Sequence, residues 1–272
     1  MPQINALSLT PEVNKWLANS DQPRILHVFY RACNLINERK DILSIVSPQI
    51  GNGPFNLVIE EDVLFAEYLD VQSKIALQAE QIILGDLTIG IANAELWNPS
   101  PVWEVLYAGR EDIANRLTKL PMTNDKPNLP DDLLSTLTNS IVSAGKDAIL
   151  SAARQLAGLG QGLTPAGDDF MIGAIYAAWI ICPPEVAGKF GEEIAKTAAP
   201  MTTSLSAAWL KSAGRGEAGE VWHHLLGALV LGDKLRIQKS INSILAVGET
   251  SGADALAGFI GVCSAYKERI IE

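Results

Sequence analysis

Gly158-Leu-Gly-Gln-Gly-Leu-Thr-Pro-Ala-Gly-Asp-Asp-Phe-Met-Ile-Gly173 runs from a glycine-rich loop directly into the most apolar segment of a 272-residue chain. Thr164 reads as a helix N-cap and Pro165 as the first helical residue, because a capping hydroxyl and a fixed φ both suit those positions. The following run from Phe170 to Cys182 is uncharged but shorter than the roughly 18 apolar residues needed to cross a bilayer. The stretch therefore predicts a buried core helix near 165–181, entered through a loop whose glycines permit close backbone approach to a ligand.

Downstream and upstream of this loop the periodicity differs. From Asp112 onward alanine, leucine and charged residues recur at helical spacing, predicting helices near 131–142, 146–157, 184–198, 203–213, 218–231, 234–246 and 252–268. Before Trp97-Asn98-Pro99 the chain is rich in β-branched residues broken by turns, with candidate strands at Ile25–Tyr30, Ile42–Val46, Phe55–Ile59 and Ile82–Ile91. Pro48 to Pro54 is a turn cluster, Thr10-Pro11 starts a short helix, and Asn124 to Pro130 is linker-like. The expected architecture is α+β: an antiparallel β-rich, barrel-like region over 1–110, packed on a mainly helical region over 111–272 that carries the loop.

Composition narrows the function classes. With 48% hydrophobic and 19% charged residues the chain has the makings of a packed core. A net charge of −10 repels phosphate backbones and anionic headgroups, which argues against nucleic acid and membrane surfaces as partners. Cys33, Cys182 and Cys263 have neither disulfide-framework nor zinc spacing, and the N-terminal residues lack a signal-peptide pattern, so a cytoplasmic protein is expected.

A helix start leaves backbone N–H groups without intrahelical partners and so attracts anions. Asp168 and Asp169 at that start could simply oppose the positive helix end, worth about 0.3 to 1 kcal/mol each. Gly167, however, occupies the capping-box position, so neither acid completes one. Two adjacent carboxylates before an apolar helix are better explained if a metal, a substrate cation or an arginine compensates them. Gly-x-Asp-x-x-x-Gly recurs from Gly252 through Asp254 to Gly258, although Ser251-Gly-Ala-Asp254 also fits a plain capping box. Met201-Thr-Thr-Ser204 is a third hydroxyl-rich helix start. His223 and His224 are adjacent on a helix and cannot form an i, i+4 metal pair, and no Ser-His-Asp order or nucleophilic cysteine is visible. Arg31, Arg154 and Arg215 could each grip an anion, though a lone arginine is more often a salt-bridge partner.

Four stretches, in this order, resemble the AllH family: Val28-Phe-Tyr-Arg-Ala-Cys-Asn-Leu35, Gly51-Asn-Gly-Pro54, Gly160-Gln-Gly-Leu-Thr-Pro-Ala-Gly-Asp-Asp169 and Thr250-Ser-Gly-Ala-Asp254. The family is a subunit of oxamate carbamoyltransferase, encoded with allantoin breakdown, and is also catalogued as a domain of unknown function. The resemblance implies a transferase subunit, active in a complex with two other polypeptides, in purine nitrogen catabolism. There carbamoyl phosphate and oxamate interconvert with oxalurate and phosphate. A small anionic substrate, carbamoyl phosphate or oxamate-like, is the expected ligand.

The candidate substrate contacts lie in those stretches. Arg31, Asn34 and Asn52 come from the first two, Gly160, Gly162, Thr164 and Gly167 from the loop, and Thr250, Ser251, Gly252 and Asp254 from the last. Asp168 and Asp169 are the candidate catalytic residues, as proton acceptors or as ligands of a cation such as Mg²⁺. Two rival functions fit the same loop: a stand-alone magnesium-dependent phosphoryl-transfer or hydrolytic enzyme, and a non-catalytic scaffold or regulatory subunit.

Overall fold

The computed structural model describes residues 3–118 and 127–271, so the linker-like stretch at 124–130 falls partly outside the described residues. The fold is α+β, in two compact units, Met1–Pro99 and Ser100–Glu272.

The first unit is a sheet of β1 (Gln3–Leu9), β2 (Arg24–Val28), β3 (Ala32–Ile36), β4 (Ile42–Val46), β5 (Asn56–Ile59), β6 (Ile75–Leu77), β7 (Gln81–Leu84), β8 (Leu87–Gly90) and β9 (Glu95–Leu96). Helix α1 (Pro11–Ala18) and the single turn α2 (Phe65–Tyr68) interrupt it. Eight strands follow the order β2-β3-β4-β5-β1-β8-β7-β6 in a nearly closed, barrel-like sheet, and β9 pairs beside β1. β1 alternates exposed Gln3 and Asn5 with buried Ile4 and Ala6, the period-two signature of a half-buried strand. β4 and β5 are buried at every residue, polar Ser44 and Asn56 included, as expected of predominantly apolar strands covered on both faces.

Three details depart from the sequence expectation. β1–β8, β1–β9 and β4–β5 pair in parallel, although the remaining neighbours are antiparallel. The single strand expected over Ile82–Ile91 is a hairpin turned at Gly85-Asp86, where Gly85 adopts φ +54°. β1, β3, β6 and β9 are additional strands. Thr10 caps α1 as expected, accepting from Val13 N–H at 3.2 Å, and its own hydroxyl donates to the Pro54 carbonyl at 2.7 Å.

The second unit contains α3 (Trp103–Ala108), α4 (Arg110–Leu117), α5 (Asp131–Ser143), α6 (Lys146–Leu156), α7 (Ala166–Ile181), α8 (Pro184–Ala198), α9 (Ser204–Gly214), α10 (Glu220–Leu231), α11 (Lys234–Leu245) and α12 (Ser251–Ile271). α7 is buried along nearly its whole length, which is why it is apolar all round rather than amphipathic. It crosses α12 at backbone contact: a Cβ on Gly173 would lie 1.7 Å from the Ala255 carbonyl oxygen, and one on Gly258 2.0 Å from that of Phe170. Only glycine fits at either position. The crossing fixes the beginnings of the two helices relative to each other. An aromatic row, Trp103, Tyr176, Trp222 and Phe259, runs beside it with successive ring centroids 6.4, 5.0 and 5.2 Å apart. All three cysteines are free, and among the described residues no helix is long and apolar enough to cross a membrane.

Candidate functional site

The loop before α7 does not cap the helix in the way its sequence suggests. Pro165 takes the N-cap position with extended backbone, and α7 begins at Ala166. Thr164 instead turns its hydroxyl to that of Ser251, 2.7 Å away, at the first residue of α12. The two helix starts carrying the Gly-x-Asp-x-x-x-Gly pattern are thereby joined through their hydroxyls. Gly167 and Gly252 occupy equivalent tight places, where a Cβ would lie 2.1 Å from the Leu156 carbonyl and 1.8 Å from that of Ile244.

The first amide groups of α7 are largely used within the turn. Gly167 N–H donates to the Leu159 carbonyl at 2.9 Å, and the Asp168 and Asp169 N–H groups both reach Pro165 at 2.9 and 3.1 Å. The open row of anion-binding amides expected from the sequence is therefore mostly closed. Gly160 and Gly162 lie in the same loop with φ of +121° and +92°, Gly160 pressed against Ala166 N and Gly162 facing open space.

Asp168 and Asp169 point into different surroundings. Asp168 is completely buried and saturated: Gly158 N–H donates to one oxygen at 3.0 Å, and the hydroxyls of Ser206, at 2.9 Å, and Thr202 donate to the other. Burial raises its proton affinity, and these three donors pull it back down. Thr202 and Ser206 flank the start of α9, whose N-cap is Thr203, so the third hydroxyl-rich helix start serves to hold this carboxylate.

Asp169, 5% exposed, has its Oδ2 buried without a hydrogen-bond donor, as has Asp254. Burial pushes the Asp169 carboxyl up to about 8; the Ser251 and Thr164 hydroxyls work against that, and the nearby charges of Asp254 and Asp168 add to it. Asp254 is also raised by burial, offset by the Thr250 hydroxyl. Among the described residues no group of three or more His, Cys, Asp or Glu side chains gathers as a metal cage, and both Asp168 oxygens already accept hydrogen bonds.

Asp169 lines a cavity of about 250 Å³ together with Thr164, Ser251 and Gly252. Its other walls are chiefly Tyr176, Trp209 and Trp222, and it reaches the surface at exposed Val247 and Gly248. Tyr176 is held by its hydroxyl donating to the Glu217 carbonyl at 3.1 Å. None of these aromatic residues belongs to a motif. What marks them in the sequence is only that large rings recur on helices flanking the loop, a pattern shared with ordinary cores.

The remaining candidates lie in the β unit with structural partners. Arg31 pairs with Asp62 at 3.3 Å on the surface. The buried Asn34 side chain accepts from the Ser44 hydroxyl at 2.7 Å, and Asn52 accepts from the Ser8 hydroxyl at 2.6 Å.

Comparison with known proteins bears on both units. Residues 156–263 match the family described as oxamate carbamoyltransferase subunit AllH, and residues 5–96 match the AllH family N-terminal domain. No solved structure matches the chain. The first match spans the loop, Asp169 and Asp254, together with every cavity residue named above.

Proposed function

The chain belongs to the AllH family, and we propose that it works as one subunit of a carbamoyltransferase complex acting on oxamate and carbamoyl phosphate, in the breakdown of allantoin and other purine nitrogen. The observation that carries this proposal is Asp169, a buried carboxyl with an unpartnered oxygen beside a cavity bounded by two of the four family-like stretches.

In the synthetic direction the oxamate amide nitrogen attacks the carbamoyl carbon. The new C–N bond forms as the C–O bond to phosphorus-bound oxygen breaks, phosphate leaves with that electron pair, and one nitrogen proton must be removed. Asp169 is the proposed acceptor. A carboxyl with proton affinity near 8 takes up and returns a proton close to neutral pH, the condition in which general acid–base work is most effective. Asp168 is a positioning residue in this scheme: it ties Gly158, at the head of the loop, to the start of α9 and so holds the turn that presents Asp169.

Reconstitution with the partner polypeptides tests the assignment. Asp169→Asn is expected to leave assembly intact and to lower carbamoyl transfer by about 100-fold or more, the usual scale for a lost proton acceptor. Full transfer by an assembled Asp169→Asn complex would show that another group takes the proton.

A further inference from the structure

The cavity beside Asp169 is poorly suited to a fully charged guest. Its described lining includes no Lys, Arg or His side chain, and its polar groups are chiefly two hydroxyls and an acid. A phosphate dianion or a bare carboxylate drawn into it would lose its hydration and meet a carboxyl, with no opposite charge to compensate. The adjoining helix start offers little relief, since three of its N–H groups are already bonded within the turn. Oδ2 of Asp169, by contrast, is a buried acceptor without a donor, and Asp254 carries a second such oxygen. Buried acceptors are nearly always paired in native proteins, so an N–H donor is the missing complement. Trp209, Trp222 and Tyr176 line the same cavity, so the rest of the guest's surroundings are largely aromatic.

We infer that this cavity takes the uncharged –CO–NH2 head of a primary amide or ureido compound, nitrogen toward Asp169, while the charged end of the same molecule remains at the mouth. The inference rests on the carbamoyltransferase reading of the site and specifies which end of the substrate enters. The amide nitrogen donates to the carboxyl, and the amide carbonyl accepts from whichever of the paired Thr164 and Ser251 hydroxyls is not donating to the other. Pairing survives a change of protonation, because a protonated Asp169 donates to the carbonyl while its other oxygen still accepts from nitrogen. It follows that the cation opposing the anionic end comes from outside the described cavity lining.

Matched probes test this on the full chain, followed by tryptophan fluorescence or by NMR. Oxamate and oxalate differ by one –NH2 replaced by –O⁻, and acetamide against acetate repeats the comparison without the second charge. Oxamate is expected to bind at least about tenfold more tightly than oxalate, acetamide is expected to be favoured over acetate, and Asp169→Leu is expected to remove both preferences. Oxalate or inorganic phosphate binding as tightly as oxamate would overturn the inference. Methylammonium binding more tightly than either amide would overturn it too, in favour of a cation site.

If the chain alone binds none of these probes, the same binding comparison on the reconstituted complex decides, and equal affinity for oxamate and oxalate there would overturn the inference. Failure of the two ideas is distinguishable. Amide preference without carbamoyl transfer sinks the proposed activity, whereas carbamoyl transfer without amide preference sinks only the orientation inferred here.

Discussion

The start of α7 presents one carboxylate to the opening of α9 and the next to the opening of α12, and the two regions treat them in opposite ways. On the α9 side, Thr202, Ser206 and Gly158 N–H saturate Asp168. On the α12 side, Thr164 and Ser251 engage each other, and Asp169 keeps one buried oxygen without a donor. The residues are chemically identical and adjacent, so the difference lies in the donors that the neighbouring helix starts supply. A saturated buried acid organises structure. An unsaturated one is held at some expense of stability, and such groups concentrate where ligands bind.

That contrast breaks first, and most visibly, at Asp168. Asp168→Ala would leave Gly158 N–H, the buried Ser206 hydroxyl and the half-buried Thr202 hydroxyl without an acceptor, a loss expected to total about 3 kcal/mol, at the lower end of what breaking a buried charged network costs. Urea unfolding should show a lower midpoint with little change in slope. A variant as stable as the parent would mean that the α9 opening does not hold the loop.

The sequence shows the place of this contrast but not its sense. Thr-Pro after clustered glycines, followed by an apolar run, is local punctuation, and α7 begins within one residue of where that punctuation predicts. Which acid is saturated depends on Thr202 and Ser206, 34 and 38 residues further along, and so on tertiary packing. The cavity walls are hidden for the same reason: Trp209 and Trp222 lie on separate helices, and nothing in their spacing tells a pocket from a core. In the β unit, Ile42–Val46 reads as a strand because four of its five residues are aliphatic, three of them β-branched. β1 escapes notice because exposed Leu7 and buried Ser8 break the polar–apolar alternation of Gln3–Leu9, and its neighbours, β5, β8 and β9, are distant in sequence.

The opposite sign is expected at Asp169. Its folded proton affinity, about 8, lies above the ordinary value of 3.8, so between those values the folded chain holds a proton that the unfolded chain has released. Stability contributed by that proton is fully present below about pH 4 and is lost as pH rises toward 8. Asn has the same shape and never ionises. Asp169→Asn should therefore match the parent near pH 4 and exceed it by about 1 to 3 kcal/mol near pH 9, the gap widening steadily between. Paired denaturant titrations across pH measure this directly. A gap that is flat with pH, or that grows toward acid, would place Asp169 among saturated structural acids like its neighbour.

The smallest effect belongs to the β unit, where the comparison is sharpened by a polar contact made on the surface. Arg31 and Asp62 are 3.3 Å apart with side chains 52% and 38% exposed, so water screens the pair and both side chains give up rotamer freedom to form it. A double-mutant cycle with Arg31→Ala and Asp62→Ala is expected to return a coupling below about 0.5 kcal/mol that shrinks further with added salt. A coupling of 2 kcal/mol or more would show Arg31 to be held as firmly as Asp168, and the rule that saturation in the interior separates structural from functional polar groups would then fail for the exposed side chains of this protein.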